Sequence, residues 1–101
     1  MKSKIRIRND IMDVIVSKED VITIEKLKII SEIAPIKERI KMFERKYNCS
    51  IDEFKKKLEE LREEDFEAWD DYIEWLSYEK KLKELERRLK EVENAERVKI
   101  A

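Results

Sequence analysis

The absence of glycine from all 101 residues, with a single proline at position 35, limits the folds open to this chain more than any other feature. Folds with many short strands and tight turns draw heavily on both residues. Leu, Lys and Glu are abundant and favour helix, so a few long helices joined by short connections is the expected architecture. Charged residues make up 49% of the chain, a level that alone would suit disorder, but the 42% hydrophobic residues recur at helical spacing, which a disordered chain lacks. At this length folding buries about 60–70% of the unfolded surface, enough for one domain, 1–101, with a modest core.

Abundant Lys, Glu and Ile with no Gln matches the composition of hyperthermophile proteins, which points to an archaeal-type source. Cys49 has no second cysteine to pair with, and neither a signal peptide nor an apolar run of membrane-spanning length is present, so a cytoplasmic location is expected. With no histidine and no evident base to activate Cys49, the sequence reads as a non-enzyme without metal or cofactor.

Residues 4–8 alternate apolar and basic, and β-branched clusters follow at 14–16 and 21–24, which predicts a short amino-terminal β element, or a flexible arm, over residues 1–24. Asn9-Asp10 and Ser17–Asp20 supply the turns. From Thr23 a helix should run to Ala34 and stop there, because Pro35 disfavours helical geometry in the residue before it. A second helix takes Ile36, Ile40, Phe43 and Tyr47 as its apolar stripe and ends at Asn48, the residue best able to replace glycine in a left-handed cap. Ser50 and Glu53 have the spacing of a capping box. Behind it Ile51, Phe54, Leu58 and Leu61, then Phe66, Trp69, Ile73 and Leu76, form stripes on one face of one helix or of two broken near Asp65. The alternation at 97–100 could add a strand.

A third set, Trp75, Tyr78, Leu82, Leu85, Leu89 and Val92, lies about 170° away if the helix runs straight through Ser77. This predicts a mainly α fold of three to four helices: a helical hairpin within a core of residues 25–76, and a projecting helix over 77–95. Leu82, Leu85, Leu89 and Val92 would then be buried against a second copy in a homodimer.

Residues 59–74 hold nine carboxylates and one basic residue, Arg62, a net of −8 against −1 for the whole chain. Glu67, Asp70, Asp71 and Glu74 would share a helix face, either paired with nearby Lys and Arg or presented to a basic partner. Trp75 and Tyr78 are the aromatics expected to anchor that partner. Lys2, Lys4, Arg6 and Arg8 suggest instead an ordinary solvated strand, or a basic ribbon for DNA.

The run Phe43-Glu44-Arg45-Lys46-Tyr47-Asn48-Cys49-Ser50-Ile51-Asp52-Glu53-Phe54, followed by Phe66-Glu67-Ala68-Trp69-Asp70-Asp71-Tyr72-Ile73-Glu74-Trp75, resembles the core of small antitoxin-like proteins of prokaryotic toxin–antitoxin modules. Asn48 stands where those proteins carry glycine, and the similarity spans residues 25–95. The resemblance implies an antitoxin that neutralises a cognate protein toxin, possibly an RNA-cleaving one. A homodimeric scaffold and a DNA-binding regulator are the alternatives.

Overall fold

A computed structural model describes residues 4–8 and 13–100. Two strands, β1 (Lys4–Arg8) and β2 (Asp13–Ser17), precede three helices, α1 (Lys18–Tyr47), α2 (Ile51–Glu60) and α3 (Phe66–Ile100). The strands form an antiparallel ribbon whose register pairs Ile5 with Val16 and Ile7 with Val14. The mainly α architecture with a short amino-terminal β element is therefore present, and the β element ends at Ser17.

Residues 17–24 are not turn and strand. The Ser17 hydroxyl accepts from the Asp20 amide at 3.2 Å while the Asp20 carboxylate accepts from the Ser17 amide at 3.4 Å. This reciprocal cap starts α1 at Lys18 and outweighs the β preference of Val21–Ile24, which is worth less than a cap of about 1 kcal/mol plus the turns it nucleates.

Pro35 does not stop the helix either: α1 continues through it to Tyr47. Its missing N–H leaves only the Ser31 carbonyl unserved, and Ser31 and Pro35 are both exposed, so water can take the bond. Ile33 and Ile36, on either side of the proline, pack on α3 and hold the helix together across it.

Asn48 takes the left-handed conformation (φ 52°, ψ 43°) expected at the end of α1. Ser50 then caps α2 by accepting from the Glu53 amide at 3.3 Å, although only this half of the expected capping box forms. The break near Asp65 is real. The Asp65 carboxylate accepts from the Ala68 amide at 3.1 Å and so caps α3. Residues 97–100 continue α3 and do not form a strand.

The main correction concerns residues 77–95, which do not project. α3 lies antiparallel on α1, tied near one end by Lys46–Asp71 (2.6 Å) and near the other by Lys26–Glu96 (3.2 Å). Ile29, Ile33, Ile36, Ile40, Phe43 and Tyr47 face Ala68, Trp75, Tyr78, Leu82, Leu85, Leu89 and Val92. Both rows follow the four-and-three spacing of a heptad seam. The fully buried Leu85 fits between Ile29 and Ile33, with Leu82, Leu89 and Val92 partly buried around it. These residues therefore need no second copy, and the dimer interface assigned to them is occupied within the chain.

The α3 part of the face expected to be core is turned outward at two of its four residues: Phe66 is 72% and Ile73 62% exposed. The result is a molecule one helix layer thick, 65 × 37 × 17 Å, with a radius of gyration of 20.4 Å. A compact chain of this length would have about 13 Å.

Candidate partner-binding surface

The end of the hairpin where α1, α2 and α3 meet is held by an aromatic cluster. Phe43 stacks on Trp75 at 5.6 Å between ring centres, Tyr47 on Phe54 at 4.0 Å, and Phe54 lies 5.6 Å from Trp75. Trp75 is fully buried, and its indole N–H donates to Glu79 at 3.3 Å. Tyr78 borders the same cluster, 6.3 Å from the Phe43 ring, with its hydroxyl on Glu74 at 3.1 Å. Trp75 therefore serves the core and is not free to anchor a partner, while Tyr78 is only partly buried. The motif residues Phe43, Tyr47, Phe54 and Trp75, which carry the antitoxin resemblance, are the ones that build this corner.

The four carboxylates also separate by role. Asp71 is drawn into the fold: it accepts from the Lys46 ammonium at 2.6 Å and from the Tyr47 hydroxyl, and only 17% of its side chain is exposed. Partial burial alone would raise its pKa, but the hydrogen bonds from Lys46 and Tyr47, with the Lys46 charge, outweigh this and lower it. Burial is the larger reason that Tyr47 is pushed up to about 12, with its bond to Asp71 second. Lys46 is raised chiefly by its hydrogen bond to Asp71. Glu67, Asp70 and Glu74 remain exposed, with Glu67 loosely paired to Lys46 at 3.6 Å.

This cluster sets a pH dependence at both extremes. Asp71 has a lowered folded-state pKa, so its stabilising contribution is present above the ordinary carboxylate value and is lost as pH falls through the folded one. Tyr47 has a raised one, so its contribution is complete below 10 and lost as pH rises towards about 12. Thermal melts should show the midpoint falling between pH 10 and 12, and Tyr47→Phe should flatten that alkaline limb. An alkaline limb identical in the two proteins would show that the Tyr47 hydroxyl does not carry it.

What sequence reasoning missed is that this apolar stripe divides. Phe66 and Ile73 are exposed on the outer side of α3, with Asp70 and Glu74 along one flank by the helical repeat, whereas Trp69 is half-buried against the aromatic corner and Leu76 is half-buried. All four were assigned to the core. Cys49 is half-buried against the aromatic corner. Among the described residues no group of His, Cys, Asp and Glu is arranged to hold a metal, and no helix is long and apolar enough to cross a membrane. Lys4, Arg6 and Arg8 lie on β1, while Lys2 falls outside the described residues.

These features define a class: a single-layer antiparallel helical hairpin, closed by a short third helix, with an amino-terminal ribbon and an acidic-apolar outer face. The chain belongs to the family described as "Uncharacterized protein MJ0235 family", whose model matches residues 1–97. That match includes the ribbon, which lay outside the antitoxin resemblance, and it lends that resemblance no support. No match is found among curated proteins or solved structures.

Proposed function

We propose that this protein is a non-catalytic protein-binding module. It engages a basic-rimmed apolar surface on its partner through Phe66, Ile73, Asp70 and Glu74 on the outer face of α3. The observation that carries this reading is the exposure of two large apolar side chains, Phe66 and Ile73, beside the exposed carboxylates Asp70 and Glu74, the latter also accepting from the Tyr78 hydroxyl. Apolar contact supplies affinity, and the net −8 of residues 59–74 supplies steering. Neutralisation of a toxin is the specific role that the likeness of residues 43–54 and 66–75 to antitoxins suggests, with the acidic face covering a basic, RNA-binding surface.

Co-expression with the products of adjacent genes tests it. A basic neighbour should co-purify in fixed ratio with the wild type and be lost from a Phe66→Glu, Ile73→Glu variant that retains its circular dichroism. Asp70→Lys with Glu74→Lys should slow association and flatten its salt dependence. Unchanged rates in both variants would overturn the assignment.

A further inference from the structure

The outer face of α1 carries a second apolar row, remote from the surface just described. Ile24, Leu27 and Ile30 are 51%, 61% and 47% exposed. With Thr23 and Ala34, also exposed, Leu27 and Ile30 repeat the four-three-four spacing of a heptad seam, turned away from α3. Among the described residues no element covers this row.

We infer that a second copy covers it, with the two α1 helices running antiparallel about a twofold axis between Leu27 and Ile30. Surface area is the first argument. A compact monomer of 12.4 kDa exposes about 6,100 Å², whereas this chain exposes 8485 Å². The excess is roughly three times the ~800 Å² that each partner brings to a standard interface. Thickness is the second argument, since domains bury their cores between two packed layers and this molecule, 17 Å deep, supplies one. Two copies joined through α1 make the second layer.

Charge selects the direction. Setting Leu27 opposite the partner copy's Ile30 brings Thr23 to Ala34 and, one step further along the same seam, Asp20 to Lys37. A parallel pairing would instead bring Asp20 to Asp20 and Lys37 to Lys37, which repel. The contact is isologous, so it closes at two copies and leaves the outer face of α3 to a different partner.

Sedimentation of the full chain at micromolar concentration should give the mass of two copies, and Leu27→Glu should halve it while leaving helical circular dichroism intact. Orientation is read separately by mixing two single-cysteine proteins, Thr23→Cys and Ala34→Cys, each on a Cys49→Ala background. The mixed disulfide should form in several-fold excess over either symmetric one. A monomeric wild type, an undiminished mass in Leu27→Glu, or preference for Thr23–Thr23 linkage would overturn the inference.

Discussion

Replacing Trp75 with alanine is expected to lower stability by about 3–5 kcal/mol, which for a chain of this size lowers the melting temperature by on the order of 20 °C. The indole is fully buried where all three helices meet, stacked on Phe43 and in ring contact with Tyr47 and Phe54. Its removal leaves a void that only the rigid aromatic corner could fill, and such corners relax poorly. Small domains have a total stability of roughly 5–15 kcal/mol, so this one substitution removes a large share of it. A surface anchor would behave differently: partner dissociation would quicken and the melting curve would stay put. Calorimetry of the isolated protein separates the two, and a loss below about 1 kcal/mol would contradict the burial of Trp75 in the corner.

Much of the fold was legible because local signals carried it. The alternation at residues 4–8, the αL residue at Asn48 and the Ser50 cap each rest on a few neighbouring residues, and each is present, while the choice between one helix and two near Asp65 stayed open until the Asp65 cap was seen. The seam between α1 and α3 occupies about 120° of a helical wheel at 100° per residue, and a drift of about 20° per heptad does not split it into two faces. What hid it was the first half of α3. Its true seam there holds Ala68, Trp75 and, between them, the half-buried Asp71 and Tyr72, whereas Phe66, Trp69, Ile73 and Leu76 form a more apolar stripe. Choosing the more hydrophobic face placed the core on the wrong side and left Leu82, Leu85 and Leu89 without a partner.

Pro35 was misjudged for a related reason. A proline ends a helix when nothing else holds the two sides, but here Ile33 and Ile36 are both fixed on α3, and tertiary packing overrides the local preference. At the candidate surface, the run of carboxylates marks residues 59–74 as the acidic stretch of the chain. It could not reveal that Asp71 is claimed by Lys46 and Tyr47, residues more than twenty positions away and brought close only by the antiparallel pairing.

Leu85→Asp discriminates most sharply between the projecting helix and the closed hairpin. If Leu85 lay on an open stripe between copies, the variant would be a folded monomer. In the closed hairpin it places a carboxylate in full burial between Ile29 and Ile33, where no cation lies within the cluster to pair with it. Losing the leucine costs about 2–5 kcal/mol, and an unpaired buried charge adds several more, a total comparable with the whole stability of the domain. The expected result is loss of the cooperative melting transition at neutral pH. Leu85→Ala, which makes the void without the charge, should stay folded and melt earlier by the leucine's share alone. Acidification provides a further check, because protonating the introduced carboxyl removes the charge penalty and should recover part of the helical signal in Leu85→Asp. A Leu85→Asp protein that melts cooperatively near the wild-type midpoint would show that α3 does not close on α1 at this position.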